Sequence, residues 1–472
     1  MENKKVFSIF TVKQLCFLIA GIIAAIVFFV IPPFEGLEAQ GMKVLGLFLM
    51  AIIWWMGSVF ADYVTAFWMM ALMIATKATT LNTVFTAFSG SVIWIVIPVL
   101  AIGAALSKTG LLRRVVLAIL SKFKGNFKSQ TLGFLIAGNL IDALIPSATA
   151  KVAIAAPLAR TYSDTMGYKQ NSKPAAGMFS AMWMGFGANG PFFLTGTTMC
   201  FTMIGLLPEG YQDGFDFLHW LGVAWPWGLV LLVLSYIAIR VFYTPENDET
   251  VSTEFIHEQR AALGKMSREE KISVVVLILC LVLWVSESWH GISAAVVALI
   301  GMCILLSTNV MDRKSFRANI AWDATIFIGC STGLGTVFSK AGITEWVSTS
   351  FAPYLEPLFS NIFVLIIASV AIIAILRFAF VSQTALMTIF TVASAPFAIA
   401  AGMHPFIPGF IALVTVNVFN TSYHNGTFIT TMAASDQMVE FKQVRKMSYV
   451  YMAACIIGLI CCIPMWKAFG LM

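Results

Sequence analysis

Leu144-Ile145-Pro146-Ser147-Ala148-Thr149-Ala150 decides how this chain folds, because it interrupts an apolar segment that otherwise reads as one more membrane-crossing helix. The residues before it, 131–144, reach about 21 Å as helix at about 1.5 Å per residue, too short for a hydrocarbon core of about 30 Å. Pro146 then stops the helix. Ser147 or Thr149 stands ready to cap a second short helix running to about Ala159. Backbone N–H groups left exposed at such a break attract anions. Two readings compete here. One is a re-entrant hairpin over 130–160 that leaves on the side it entered; the other is a proline-kinked spanning helix whose serine and threonine bond their own backbone.

Working outward, the composition sets the environment. Of 472 residues, 59% are hydrophobic and 11% charged, which excludes a soluble enzyme and any disordered or fibrous class. The net charge of +6 collects in short basic stretches between apolar runs, the pattern of a polytopic membrane protein and not of a nucleic-acid binder. Full-length apolar spans fall near 14–32, 42–60, 64–77, 89–106, 218–243, 271–287, 291–307, 322–339 and 447–466. The first lacks a cleavage pattern and is expected to stay as a membrane anchor. Four interrupted regions remain: 130–160, 175–205, 361–400 and 406–432.

If 130–160 and 361–400 are re-entrant hairpins and 175–205 and 406–432 each cross once, the charges sort by side. Lys4, Lys5, Lys13, Lys108 through Lys128, Arg160, Lys169, Lys173, Arg313, Lys314, Arg317, Lys442, Arg445 and Lys446 share one side. Glu35, Glu38, Glu209, Asp213, Asp216, Glu345 and Glu356 share the other. The positive-inside rule then gives an all-α polytopic protein of the plasma membrane. It has eleven crossings plus two hairpins, the N-terminus cytoplasmic and the C-terminus outside. The mixed-sign stretch 244–270, with Glu246, Asp248, Glu249, Glu254 and Glu258 against Arg260, Lys265 and Arg268, reads as a cytoplasmic solvated linker or surface helix. Eight scattered cysteines without metal-ligand spacing read as small core residues, and neither a metal nor a cofactor is expected.

An internal repeat joins the two halves. Ser107-Lys-Thr-Gly110 recurs as Ser339-Lys-Ala-Gly342 (339 − 107 = 232), Ser147-Ala-Thr149 as Ser382-Gln-Thr384 (382 − 147 = 235), and Gly196-Thr197 as Gly426-Thr427 (426 − 196 = 230). Three matches in one order at nearly constant offset divide the chain into an anchor, 1–41, a first repeat, 42–243, the linker, and a second repeat, 271–472. An odd number of crossings per repeat inverts one against the other, the architecture of secondary transporters. The broken crossings carry the densest polar content of the apolar regions: Gly185-Phe-Gly-Ala-Asn189-Gly190-Pro191 through Thr198, and Asn417-Val-Phe-Asn420-Thr421-Ser422-Tyr423-His424-Asn425-Gly426-Thr427. Unwound backbone of this kind survives at membrane depth only around a cavity or inside protein. The plainer alternative is interhelical glue from small and polar residues.

These residues resemble the divalent anion/sodium symporter family of di- and tricarboxylate transporters and exchangers, over nearly the whole chain. The family carries a Ser-Asn-Thr motif at each hairpin tip, matched here by Ser147-Ala148-Thr149 and Ser382-Gln383-Thr384, and a Leu-Thr-Gly stretch matched by Leu194-Thr195-Gly196. The resemblance implies that Ser147, Thr149, Ser382 and Thr384 contact substrate carboxylates. Thr197 and Thr427, with Gly196, Asn425 and Gly426, complete that site. It also implies a homodimer with a fixed scaffold and a sliding transport domain. Both motif asparagines are replaced, by Ala148 and Gln383. In sodium-coupled members those asparagines help bind sodium beside the substrate.

Lys151 and Arg377, close to the tips, stand where a cation costs at least about 2.5–3.5 kcal/mol on insertion scales. Together with His424 they are candidates for fixed cations that replace sodium. Alternatives remain open: a structural Asp142–Arg377 ion pair suggested by the repeat, Lys151 snorkelling or pairing with an acid, and His424 as a neutral hydrogen-bonded core histidine. The expectation is a secondary transporter of small di- and tricarboxylates by sodium-independent exchange, with sodium-coupled symport as runner-up. No GxxxxGK[ST] loop is present, which argues against ATP drive. The distant alternative, an intramembrane enzyme, has only a Ser147/Lys151 spacing in its favour. Expected partners are small dicarboxylate anions, the lipid bilayer and a second copy of the chain, with no nucleic acid.

Overall fold

The computed structural model describes residues 10–248 and 254–472, and their regular structure is helical. Lys4, Lys5 and Glu249 lie outside the described residues. Five helices are long and apolar enough to cross a bilayer: Val12–Val30, Ala39–Gly57, Phe217–Tyr243, Gln383–Ala400 and Phe441–Ala468. Two bent pairs raise the number to seven, Val92–Lys108 with Leu111–Leu120 at 69° and Arg313–Asn319 with Trp322–Lys340 at 58°. The eleven crossings expected from sequence exceed these seven and would also require shorter apolar helices such as Asp62–Ala75, Ala294–Ser307 and Phe406–Thr415. Short helices are tolerated where protein or water replaces lipid at their ends.

The repeated Ser-Lys-X-Gly strings form the same local structure twice. Gly110 and Gly342 adopt φ of 81° and 69°, a left-handed conformation that costs glycine little. Each ends one helix, at Lys108 or Lys340, and starts the next, Leu111–Leu120 or Ile343–Phe359.

Each of the two interrupted segments after these elbows doubles back. The first runs as Phe127–Asp142 and Ala148–Thr165, and the Phe127 ring lies 6.1 Å from that of Tyr168. A straight helix would hold those residues about 60 Å apart, so the kinked-helix reading fails and the segment is a hairpin. The second runs as Ile362–Leu376 and Gln383–Ala400, closed in the same way by Phe359 against Phe397 at 5.9 Å. The second arm of the first hairpin extends past the expected stop at Ala159 to Thr165. Pro157 is accommodated within that arm.

The linker is less free than its charges suggest. Glu254–Ala262 is a helix. Arg114 on Leu111–Leu120 donates to both carboxylate oxygens of Glu270 at 2.8 and 3.1 Å, and to the carbonyls of Gly264 and Leu263. Asp248 accepts from the backbone N–H of Phe127 at 2.6 Å, which ties the linker to the mouth of the first hairpin. Among the cysteines, Cys16, Cys303 and Cys461 face outward, so the expectation that all are core residues holds only for the other five. Where the broken crossings meet, Trp183, Phe419 and Phe428 pack ring against ring at 4.9–5.6 Å.

Candidate functional site

The first hairpin tip is built around a proline break. Ser147 caps the second arm by accepting from the Ala150 N–H at 3.2 Å, and the Pro146 carbonyl accepts from the Thr198 N–H at 3.0 Å. That bond ties the tip to the first broken crossing. The crossing runs as Lys173–Trp183, one π turn over Met184–Ala188, two short 3₁₀ turns and then Thr198–Leu206. A side chain at Gly138 would overlap the Gly185 backbone, so hairpin and crossing touch main chain to main chain. Asn189 and Asn139 hydrogen-bond across this contact.

Lys151 is fully buried. Its ammonium group forms an ion pair with buried Asp142 and donates to the Gly196 carbonyl at 2.8 Å. Of the readings left open for Lys151, pairing with an acid is the one found. The alternative of an Asp142–Arg377 pair is overturned, because a turn of five residues brings Lys151 back beside Asp142 within the same hairpin.

The second tip has no proline, and Arg377 makes the break instead. Its Nη1 donates to the carbonyls of Phe380 and Val381 at 2.6 and 2.9 Å, satisfying groups that the interrupted helix leaves open. Nε and Nη2 of this fully buried guanidinium have no protein partner among the described residues. Ser382 caps Gln383–Ala400 through the Ala385 N–H at 3.1 Å and donates its own proton to Asp62 Oδ2 at 2.6 Å. The Gln383 amide donates to Asn417 Oδ1 at 2.9 Å, as does Asn425 at 2.8 Å. Asn417 in turn donates to the Ala188 carbonyl at 3.1 Å, linking the two broken crossings. His424 is buried beside the Phe378 ring at 4.7 Å. Neither of its ring nitrogens meets a protein partner among the described residues, so it is not the hydrogen-bonded core histidine of the plainer reading.

A cavity of about 500 Å³ opens against the second tip. Ser382 and Thr384 line it from the tip, Thr198 and Thr202 from the first broken crossing, and Asp62 and Asp323 from the first turns of Asp62–Ala75 and Trp322–Lys340. The first tip thus lies one hydrogen bond from the cavity, through Thr198. Ser147, Ala148, Thr149, Gly196, Thr197, Gln383, Asn425, Gly426 and Thr427 do not line the cavity, and neither do the fixed-cation candidates Lys151, Arg377 and His424. The hydroxyls of Thr149 and Thr384 make no hydrogen bond within the described residues, unlike those of Ser147 and Ser382, which cap their own helices. Asp62 and Asp323 escaped the sequence reading. The available signal was an acid in the short break between the apolar spans near 42–60 and 64–77.

Two hairpins, two broken crossings and a cavity that carries Asp62, Asp323, Ser382 and Thr384 in an all-helical membrane protein are the parts of a solute carrier. The chain belongs to the family described as "Sodium:sulfate symporter transmembrane region", matched over residues 12–472, which is the divalent anion/sodium symporter family. It is 25% identical over 350 residues to the putative malate transporter YflS of Bacillus subtilis, covering 72% of each chain. To the sodium-dependent dicarboxylate transporter SdcS of Staphylococcus saprophyticus it is 22% identical over 438 residues, covering 86% of this chain and 82% of the other. In fold it is similar to the YdaH transporter of Alcanivorax borkumensis, with a TM-score of 0.56 at 15% identity over 84% of this chain and 89% of that one. The protein is a multi-pass membrane transporter and not an enzyme.

Proposed function

We propose that this chain is a secondary active transporter of small dicarboxylates of the succinate, malate and 2-oxoglutarate type, working by sodium-independent exchange in the plasma membrane. The observation that carries the reading is Arg377. An unpaired buried charge is costly, and the free Nε–Nη2 edge of a guanidinium matches a carboxylate with two parallel hydrogen bonds. A buried arginine with that edge unfilled, five residues before Ser382, calls for an anion at the second tip. The free hydroxyls of Thr149 and Thr384 supply one further donor at each tip, which suits a substrate with two carboxylates.

The exchange mode follows from where the positive charge resides. At the first tip the Lys151 ammonium donates to a backbone carbonyl and a carboxylate, the kind of oxygen ligands a sodium ion takes. At the second, the Gln383 amide nitrogen stands against the Asn417 oxygen and the Val416 carbonyl, the latter at 3.3 Å. Lys151 is neutralised by Asp142, which leaves Arg377, with His424 beside it, as the chief fixed cation. An empty carrier keeps the Arg377 charge uncompensated while it crosses, so its return is slow unless a second dicarboxylate binds. The two hairpins and broken crossings would move as a transport domain, re-entrant from opposite faces, against a scaffold that pairs two copies. With the N-terminus cytoplasmic, the cavity beside Asp62 and Asp323 faces inward.

Labelled succinate, malate, 2-oxoglutarate or citrate taken up by vesicles, with and without internal unlabelled dicarboxylate, in sodium and in choline buffer, tests this reading. Equal uptake in both buffers, strongly stimulated by internal substrate, is expected. Uptake that needs sodium and ignores internal substrate rejects exchange, and no movement in any gradient rejects transport of these anions. Sodium-coupled symport is the second reading, favoured by the likeness to SdcS, whose name states sodium dependence.

A further inference from the structure

We infer that Asp62 is an internal carboxylate ligand of the second hairpin tip, one that substrate must displace from Ser382 before the carrier is loaded. The inference rests on the proposed dicarboxylate reading of the site. Ser382 has a single hydroxyl proton. In this structure that proton goes to Asp62 Oδ2 at 2.6 Å, a short bond of the charge-assisted kind. The hydroxyl oxygen is also used, accepting from the Ala385 N–H. Ser382 therefore has nothing left to donate while Asp62 is in place.

The two partners are 320 residues apart in sequence. They belong to different parts of the fold, Asp62 to the first turn of Asp62–Ala75 and Ser382 to the cap of Gln383–Ala400. Both line the same cavity, so the carboxylate of the wall occupies a position that a substrate carboxylate would take at the tip. Asp323 lines the same wall but makes no hydrogen bond to Ser382. It supplies the matching control, a nearby negative charge without the bond.

Two consequences follow. Asp62 competes with substrate for Ser382, which weakens apparent affinity by the strength of the bond to be broken. It also tethers the empty tip to the wall, which hinders an unloaded hairpin from moving and so favours exchange over leak. A purely structural Asp62 would predict neither effect.

The test uses full-length purified protein with succinate as the probe. Binding is measured by titration calorimetry, and vesicle uptake is compared with and without internal succinate. Asp62→Ala is expected to bind succinate about tenfold more tightly, the size of one hydrogen bond to a charged group. Asp62→Asn, which keeps a neutral acceptor, should fall between, and Asp323→Asn should change affinity less than either. The Asp62 variants should also show a larger share of uptake without internal succinate. If Asp62→Ala does not fold, Asp62→Asn carries the comparison. Unchanged or weaker binding in folded Asp62 variants, or an equal gain in Asp323→Asn, overturns the inference. Hydrogen exchange at residues 378–386 without succinate separates this from the function itself: release of the tether speeds exchange there in Asp62→Ala. Wild-type protein that binds no succinate defeats the dicarboxylate reading, whereas faster exchange in the variant still supports the tether and unchanged exchange removes it.

Discussion

The two hairpin tips occupy equivalent places in the repeat and solve the same problem by different chemistry. The first breaks its helix with Pro146, buries one cation, and neutralises it at once by the Lys151–Asp142 pair. The second breaks its helix with Arg377, which satisfies two carbonyls with Nη1 and leaves the other edge of the guanidinium open. One tip is electrically closed; at the other, one edge of the guanidinium has no protein partner among the described residues. With Ala148 and Gln383 at the two motif positions, the proposed exchange mechanism relies mainly on the second tip for charge compensation.

The comparison is tested most severely by removing each cation in turn. Lys151→Met leaves the Asp142 carboxylate buried without a partner, which costs about 3–5 kcal/mol. Thermal unfolding of purified protein should show a large fall, most of it recovered in Asp142→Asn/Lys151→Met. A double variant no more stable than the single one would show that the two groups are not coupled. Arg377→Gln orphans no counter-ion and keeps an amide donor for the Phe380 and Val381 carbonyls, so its melting temperature should stay near wild type. Its exchange rate in vesicles should nonetheless fall at least about tenfold. Retained exchange in that variant would remove the residue on which the proposed mechanism depends.

Smaller effects sharpen the same contrast. Thr149→Val and Thr384→Val keep shape and delete a free hydroxyl, so each should weaken dicarboxylate binding by about tenfold at most. Thr109→Val, outside the site, should leave binding unchanged. If both site variants transport as well as wild type, the hairpin motifs do not hold substrate here. The smallest effect belongs to the solvent-facing Lys108–Asp312 pair at 3.2 Å. The Ser315 backbone N–H, with help from the Ser315 hydroxyl and Lys108, holds the Asp312 carboxyl down at about 2. A depressed carboxyl contributes stability that is complete above its ordinary value of 3.8 and is lost as pH falls through about 2. Asp312→Asn should therefore differ slightly and uniformly from wild type near neutral pH, with the difference shrinking only in acid, since exposed pairs contribute little.

Sequence reading reached the helical class and the position of both tips, because these depend on local signals: apolar length and a capping hydroxyl after a break; the Gly110 and Gly342 strings served it only as a repeat, and their left-handed turns came with the structure. It went astray where the answer lay in the third dimension. The repeat offset pointed Asp142 at Arg377, yet a hairpin turn brings Lys151 back to Asp142 from only nine residues away. No proline marks the second break, and the role of Arg377 in making it depends on a guanidinium folding back on its own carbonyls. Asp62 carries no local mark of its partner, since its bond to Ser382 spans 320 residues of the chain. The linker read as solvated because it mixes charges of both signs, while its restraint comes from Arg114 on a helix far away in sequence.

Equilibrium binding of succinate to purified wild-type protein, titrated in sodium and in choline at equal ionic strength, tests the central claim most directly. If covalently fixed cations do the work of bound sodium, the dissociation constant is the same in both salts. Binding that appears only with sodium, or tightens in proportion to it, would contradict the account.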